Sequence, residues 1–245
     1  MSEETFTVSV WRGDDEVGRY QDYEVPRMES QTVLDVITYI QRRLDPNLSY
    51  RFACRVGVCG SCAMTVNGKP RWTCRTHVSK VIEDGRLEVA PLRNLKVIKD
   101  LSVDMTDFFD KWAKAEGRFV GGSTRHDDFA KVSPDDKRRQ EASAGIECIG
   151  CGVCYATCDV VAWNTEYLGP AALNRAWTLI NDERDTGRLS RLKAVSGTGG
   201  CQACHSQQGC VERCPKHLNP TASIAGLKRA TAMAALKGGL KRSRK

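Results

Sequence analysis

Twelve cysteines, most of them grouped in closely spaced runs, constrain this chain more than any other feature of its sequence. The run CIGCGVCYATC leaves two, two and three residues between its cysteines, a spacing typical of ligands to iron–sulfur clusters. The run CHSQQGCVERC keeps the same spacing, but Gln207 stands where the second cysteine belongs. The latter run therefore lacks one thiolate and needs ligands from elsewhere in the chain.

The two runs predict two clusters with interleaved ligands. In two-cluster ferredoxins the fourth cysteine of each run ligates the cluster of the other run. By that rule a 4Fe-4S cluster is held by Cys148, Cys151, Cys154 and Cys214. The remaining set consists of Cys158, Cys204 and Cys210. Since this set offers only three thiolates, it predicts a 3Fe-4S cluster.

A further cysteine group lies nearer the N-terminus and has the plant-type 2Fe-2S spacing. Its members are Cys54, Cys59, Cys62 and Cys74, with four and then two residues between the first three. Gly57 and Gly60 suit a loop that wraps a cluster closely and turns its backbone N–H groups toward the sulfurs. Zinc is the alternative for four cysteines, although zinc sites usually pair two short knuckles across a longer gap.

The length of 245 residues suits two domains, each with its own core. The start MSEETFTVSV lacks the basic and apolar segments of a secretory signal, which favours a reducing compartment and metal sites rather than disulfides. No segment approaches the roughly 18 apolar residues of a membrane-spanning helix. If the protein works at a membrane, we expect other chains to hold it there.

The C-terminus is basic, because Lys and Arg continue to LKRSRK while no Asp or Glu follows Glu212. This tail is a solvated end, a contact for anionic lipid or a contact for nucleic acid. The last interpretation suggests a zinc-rich nucleic-acid-binding protein, which would be colourless. That alternative does not explain three ferredoxin-type spacings in one chain.

The N-terminal part is predicted to be rich in strands. The segments 5–11 and 17–25 predict a β-hairpin, and Thr32 with Asp35 predicts a capped helix that lies across a sheet. A second hairpin turns at Asn67–Gly68, and its Pro70 places that strand at an edge or at a strand start.

After the strand-like RLEVAPL the pattern becomes helical, so we place a domain boundary near residue 104. The predicted domains are 1–104, with the 2Fe-2S cluster, and 105–245, with the other two. Ser133 is predicted to cap one helix, and Gly169–Pro170 and Asn219–Pro220 to begin two others.

These motifs together resemble the iron–sulfur subunit of succinate dehydrogenase and fumarate reductase, respiratory complex II. The resemblance covers nearly the whole chain and rests on CRVGVCGSC, NGKPRWTC, CIGCGVCYATC, LGPAALNRA, INDERDT and CxxxxxCxxxCPKHLNP. It implies an α+β chain with an N-terminal β-grasp plant-type 2Fe-2S ferredoxin domain. An all-α bacterial-ferredoxin-like domain with 4Fe-4S and 3Fe-4S clusters follows.

The resemblance also implies the electron route. A separate flavoprotein subunit oxidises succinate at FAD, and electrons then pass through the three clusters to a quinone at membrane anchor subunits, with or without haem. The chain itself has no Gly-rich phosphate loop after a strand, which agrees with a flavin on another chain. We expect a peripheral protein on the cytoplasmic face of the inner (plasma) membrane, with no nucleic-acid partner.

Two residues match family positions that line the quinone pocket, Trp163 and His205. His205 directly follows a ligand of the three-iron set and is suited to relay a proton to reduced quinone. The alternatives are a buried interface Trp and a hydrogen-bonded structural His. The sequence leaves the direction open between succinate oxidation and fumarate reduction, and the quinone open between ubiquinone and menaquinone.

Three residues depart from the family pattern. Asp159 stands where many members have proline, and Gln207 where an aliphatic residue is usual. Cys201 is a twelfth cysteine, interpreted either as a spare buried thiol or as a fourth ligand that makes the last cluster 4Fe-4S. Another redox alternative is a soluble thiol-dependent fumarate reductase or a glycolate-oxidase-like complex. Those relatives tend to carry two complete four-cysteine runs, so Gln207 argues against them.

Overall fold

The computed structural model describes residues 4–240 and contains two compact units. The first unit runs to Thr106 and also includes Ile149–Thr157, and the second comprises Asp107–Cys148 and the chain from Cys158 onward. The sequence did not predict that a segment of the first complete cysteine run belongs to the first unit. The boundary near residue 104 stays a prediction, and residues 241–245 of the basic tail lie outside the described part.

A five-stranded sheet forms the first unit. Its strands are β1 (Thr5–Gly13), β2 (Gly18–Pro26), β3 (Ala63–Val66), β4 (Lys69–Trp72) and β5 (Arg86–Ala90). They lie in the order β2-β1-β5-β3-β4, with β1 and β5 parallel and the other pairs antiparallel. Two short strands, β6 (Val97–Lys99) and β7 (Ser102–Val103), pair with each other and were not predicted.

Both predicted hairpins are confirmed. Thr5 to Gly13 pairs antiparallel with Gly18 to Pro26, and the second hairpin turns at Asn67 and Gly68, whose φ angles are 46° and 69°. Positive φ at both turn residues matches the twist of the flanking strands. The second hairpin ends in β4, an edge strand, as Pro70 predicts.

Helix α1 (Val33–Tyr39) continues as a π-helical turn, Ile40–Leu44, and buries its apolar residues in the core with the sheet. Its capping box is confirmed, because the Asp35 N–H donates to Thr32 Oγ1 at 3.2 Å and the Thr32 N–H donates to Asp35 Oδ2 at 3.0 Å. The core includes Val8, Val36 and Leu87, all fully buried.

Helices make up most of the second unit. They are α2 (Thr106–Lys114), α3 (Lys137–Ile146), α5 (Asp159–Trp163), α6 (Pro170–Asn181), α7 (Arg188–Ala194), α8 (Gly209–Glu212) and α9 (Pro220–Leu236). The short α4 (Val153–Ala156) belongs to the first unit. Helices α6 and α9 begin at the predicted prolines. No helix among residues 4–240 is both long and apolar enough to cross a membrane.

The predicted cap of α3 at Ser133 is wrong. The N-cap is Asp136, whose side chain accepts the Arg139 N–H at 3.0 Å. Both residue types are good caps, but only Asp136 reaches the free N–H groups of the first turn of this helix. The helix therefore starts about one turn later than the sequence predicts.

Helix α6 organises the second unit, because α3 and α9 both pack on it. A Cβ on Gly145 would lie 2.6 Å from Thr178 Oγ1, so only glycine allows α3 this close to α6. Asn174 donates to the Gly145 carbonyl at 3.1 Å and accepts from the Ser223 hydroxyl at 2.9 Å. One buried amide thus fixes the end of α3, which precedes Cys148, and the start of α9, which follows Cys214.

Candidate functional site: cysteine cages

The four cysteines of the plant-type group all belong to the first unit. Cys54 and Cys59 lie in the loop before β3, Cys62 directly precedes β3, and Cys74 lies in a 3-10 turn after β4. Pairing of β3 with β4 brings the two ends together, since the Thr73 hydroxyl donates to the Cys62 carbonyl at 2.8 Å. The hairpin therefore returns Cys74 toward the loop, as the sequence predicts.

Backbone N–H groups in this loop point at sulfur. The Val58 and Cys59 N–H groups each donate to Cys54 Sγ at 3.3 Å. Such donors, first among them the Cys59 N–H, lower the pKa of Cys54 to about 6. Burial, with Cys62 close by, raises the pKa of Cys74 to about 12. A thiolate that is buried in this way is stabilised by a bound metal, so the donor set fits an iron–sulfur cluster.

Gly60 places this loop against the next cysteine run. Its φ is +72°, and a Cβ there would lie 2.4 Å from the Cys151 Cβ. Both residues belong to the first unit, in which Asn94 holds the Cys151 segment by donating to the Tyr155 carbonyl at 3.0 Å. The loop that carries the first three plant-type cysteines therefore adjoins Cys151, which is predicted to ligate the 4Fe-4S cluster. Each group of cysteines predicted to hold one cluster is called a cage below.

Cys148 and Cys214 belong to the second unit and approach each other through their neighbours. Glu147 precedes Cys148 and forms an ion pair at 2.9 Å with Lys216, two residues after Cys214. The Leu218 N–H donates to Cys214 Sγ at 3.4 Å. Interleaved ligation requires this convergence of two distant segments. Because Cys151 and Cys154 belong to the first unit, the complete four-cysteine set stays a prediction.

The three-cysteine set lies within the second unit. Burial raises the pKa of Cys158, and the negative charge of Cys204 raises it further. Burial raises the pKa of Cys210 to about 11 against a hydrogen bond with Thr221, and the charges of Cys158 and Cys204 add to that rise. Cys210 is therefore influenced by both other cysteines of the set, and Cys158 by Cys204. The Ser206 N–H donates to Cys204 Sγ at 3.4 Å, a contact that suits a ligated thiolate.

Cys201 is fully buried one turn before Cys204, and its sulfur lies 3.7 Å from Thr231 Oγ1. The position agrees with a spare buried thiol, and this interpretation stays a prediction. Gln207 and Asp159 are exposed. Within residues 4–240, no group of three or more His, Cys, Asp or Glu side chains is arranged to hold a single metal ion.

Trp163 and His205 lie together, as the shared quinone role predicted for them requires. Their ring centroids are 6.1 Å apart and the rings meet edge to face at 87°. Both side chains are exposed in this chain, Trp163 by 61%, so the Trp is not buried within this subunit. Nearby, Lys228 Nζ donates to the Cys204 carbonyl at 2.7 Å. The quinone role stays a prediction.

Sequence reasoning missed two residues beside the three-cysteine set, Lys228 and Tyr167. Tyr167 is fully buried, and the thiols of Cys204, Cys158 and Cys210 act on its hydroxyl. Neither residue belongs to a cysteine motif. Helical spacing alone gave no signal that either side chain lies beside a cage.

Known iron–sulfur proteins match both cysteine-rich parts of the chain. A family described as a 2Fe-2S iron-sulfur cluster binding domain matches residues 7–110, and a 4Fe-4S dicluster domain matches residues 147–219. The fumarate reductase iron-sulfur subunit of Haemophilus influenzae is 35% identical over 213 residues, covering 82% of each chain. The mitochondrial succinate dehydrogenase [ubiquinone] iron-sulfur subunit 1 of Oryza sativa subsp. japonica is 34% identical over 229 residues, covering 92% of this chain and 81% of that one.

A solved structure agrees with these sequence matches. One chain of the Mycobacterium smegmatis Sdh1 complex in the apo form superimposes with a TM-score of 0.83 at 29% identity, covering 95% of this chain and 97% of that one. Together the matches confirm the predicted fold class, a 2Fe-2S ferredoxin domain followed by a helical ferredoxin-like domain. They also confirm that the chain carries 2Fe-2S and 4Fe-4S cluster domains.

Proposed function

Since the chain belongs to the family of iron–sulfur subunits of succinate dehydrogenase and fumarate reductase, we propose that it carries electrons from a flavoprotein subunit to membrane quinone. The complex would be a succinate:quinone oxidoreductase. Succinate would be oxidised at FAD on the flavoprotein, so this chain holds neither the succinate site nor the flavin. Membrane anchor subunits, with or without haem, would hold the chain at the cytoplasmic face of the inner (plasma) membrane.

We assign each cysteine of the three sets to one cluster. The 2Fe-2S ligands are Cys54, Cys59, Cys62 and Cys74; the 4Fe-4S ligands are Cys148, Cys151, Cys154 and Cys214; and the 3Fe-4S ligands are Cys158, Cys204 and Cys210. The clusters supply single-electron transfer when they are bound. The chain's own contribution is to fix their positions and to set the polarity around them.

The observation that carries the proposal is the contact of Gly60 with Cys151. Electron transfer needs carriers held close together on a rigid scaffold, and this glycine removes the side chain that would separate the first cage from the next run. A chain with three unrelated metal sites has no need of such closeness. The contact therefore supports a relay rather than three separate structural metals.

Backbone donors support the same role. The N–H groups of Val58, Cys59 and Ser206 donate to sulfurs of two different cages. Hydrogen bonds to ligand sulfur favour the reduced, more negative form and raise the reduction potential. The loops thus influence how readily each cage accepts an electron.

Trp163 and His205 are proposed to line the quinone pocket with the anchor subunits. Their exposed, edge-on pair leaves a ring face and an imidazole available to a partner. The imidazole would hold a proton and pass it to the quinone oxygen as electrons arrive. His205 directly follows Cys204, so this proton would be held close to the last cage.

The proposed direction is succinate oxidation. Fumarate reduction by the same complex is the second candidate, and it is favoured by the 35% identity to the fumarate reductase subunit of Haemophilus influenzae. Both directions use the same sites on this chain. The physiological direction depends on the potentials of the clusters and of the quinone.

The test is to purify the chain with its partner subunits and to titrate it by low-temperature EPR. We expect a brown complex, a signal from an oxidised three-iron cluster in air, further signals from the other two clusters on reduction, and quinone reduction by succinate. The rate of fumarate reduction by reduced quinone, measured in the same preparation, decides the direction. Zinc in place of iron, or an air-oxidised complex without the three-iron signal, would contradict the assignment.

A further inference from the structure

Tyr167 has a buried hydroxyl that the fold leaves without a partner. The side chain is fully shielded from solvent, and among residues 4–240 no group makes a hydrogen bond of normal geometry with its hydroxyl. An unsatisfied buried hydroxyl is destabilising, because it gives up its hydrogen bonds to water and gains none in the fold. Phenylalanine would fill the same space without that cost, so the hydroxyl invites a functional explanation.

Local structure fixes where this hydroxyl lies. The Tyr167 N–H donates to the Asn164 carbonyl at 3.0 Å, and the Leu168 N–H donates to the Gly199 carbonyl at 2.8 Å. A Cβ on Gly199 would lie 2.0 Å from the Glu166 carbonyl oxygen, so only glycine allows these two segments to run so close. The backbone on both sides of Tyr167 is therefore tied to the segment that leads to Cys204.

The ionisable neighbours of the hydroxyl are sulfurs. They are the thiols of Cys204, Cys158 and Cys210, and Cys204 acts on the hydroxyl most strongly. These are the three cysteines of the incomplete set, and all of them lie in the second unit with Tyr167. A tyrosine phenol is ordinarily protonated near neutral pH, so it presents an O–H donor to a group of sulfur acceptors.

We propose that the Tyr167 hydroxyl donates a hydrogen bond to sulfur of the cluster held by Cys158, Cys204 and Cys210, and that this bond raises the reduction potential of the cluster. The inference rests on the proposed function and deepens it. A hydrogen bond to cluster sulfur strengthens as negative charge builds up on reduction, so it stabilises the reduced form more than the oxidised form. Tyr167 would then adjust the reduction potential without being a ligand. The three thiolates would remain the only ligands that the chain supplies to this cluster.

The test is the Tyr167→Phe variant of the whole complex, followed by EPR during a redox titration. Removal of the O–H should lower the ratio of reduced to oxidised cluster at a fixed potential about tenfold, which is about 59 mV for one electron. In deuterated water, one exchangeable-deuteron coupling to the oxidised cluster should be present in the parent and lost in the variant, while the coupling from the Ser206 amide should remain in both. Iron content should not change, because no ligand is removed.

The matched control is Tyr50→Phe, which removes a tyrosine hydroxyl of the first unit that donates to Thr38 Oγ1 at 3.1 Å. It should leave the three-iron potential and the deuteron coupling unchanged. If the three-iron signal is present and Tyr167→Phe changes neither its midpoint nor its deuteron coupling, the inference is wrong and the proposed function stands. If the parent complex lacks the three-iron signal, the cluster assignment itself is wrong.

Discussion

The cages of the two units are built in different ways. Cys54, Cys59 and Cys62 lie within nine residues, and one hairpin returns Cys74 to them, so the plant-type cage is largely local. In the second unit, Cys158 neighbours cysteines more than forty residues further along the chain. Cys148 approaches Cys214 where α3 and α9 pack on α6 and on each other. A local cage depends on backbone turns, whereas a distant cage depends on the helical core. Damage to that core should therefore spare the first cage.

Removal of one distant cysteine that is proposed as a ligand is the strongest way to break this comparison. In Cys214→Ala we expect loss of the four-iron cluster and of quinone reduction, because no other thiolate of its run can replace it. The visible circular dichroism of the 2Fe-2S cluster should persist, since its ligands are local. Iron analysis and EPR of the purified complex measure both effects.

The matched control is Cys201→Ala, which removes a buried thiol that contacts Thr231. It should retain all three clusters and cost about 1 kcal/mol of stability or less, as a small buried truncation does. Full iron in Cys214→Ala would contradict interleaved ligation. If Cys201→Ala instead converted the last cluster from 4Fe-4S to 3Fe-4S, Cys201 would be identified as a ligand.

The Gly60→Ala variant tests whether the close contact of the 2Fe-2S loop with Cys151 contributes to stability. The new methyl group would meet Cys151 at 2.4 Å in a residue with φ +72°. Positive φ costs about 1–2 kcal/mol, and the clash adds about 1–3 kcal/mol. We expect the thermal midpoint for loss of the 2Fe-2S signal to fall by several degrees.

Gly85→Ala controls for backbone strain alone, because Gly85 has φ +73° and a methyl group there would meet no atom of residues 4–240 within 4 Å. It should lower the midpoint by less than Gly60→Ala does. Equal losses in the two variants would show that the contact with Cys151 has no importance of its own.

His205→Ala sharpens the comparison at the exposed rim of a distant cage. Quinone reduction should fall about tenfold, equivalent to a rise of about 1.4 kcal/mol in the barrier, because the proposed proton donor is lost. Reduction of an artificial dye by succinate should continue at the parent rate. His126→Ala, at an exposed position of the second unit, should change neither rate. Parallel loss of both activities in His205→Ala would indicate structural damage rather than a quinone role.

Lys216→Gln should have the smallest effect. The ion pair of Lys216 with Glu147 is partly exposed, and such pairs contribute about 0–1 kcal/mol. We expect a small, salt-dependent loss of stability in chemical denaturation, with full iron content. Iron loss as large as that of Cys214→Ala would show that the ion pair, rather than helix packing, holds the two segments together.

Sequence reasoning succeeded where one short segment decides its own conformation. The Thr32 capping box, the Asn67–Gly68 turn and the starts of α6 and α9 at proline are all observed. It failed for the cap of α3, which the sequence placed at Ser133 and the folded helix has at Asp136. The pairing of β6 with β7 also escaped prediction, since these strands are too short to show a period.

The candidate site likewise has features that the sequence predicted and features that it did not. Cysteine spacing identified the three sets and the cluster types proposed for them. No spacing rule indicated that Gly60 touches Cys151, that Trp163 meets His205, or that Tyr167 faces the three-cysteine set. These contacts join segments that are distant in sequence, so they depend on how helices and loops pack.

By itself the sequence determined which chemistry the chain can hold, because ligand type, ligand number and local turns are properties of neighbouring residues. Only the tertiary structure decided what surrounds these cysteines. The physical reason is that close approach at Gly60, Gly145 and Gly199 depends on space left free by residues far away in the chain. Such space arises from the summed packing of whole elements, which no local pattern records.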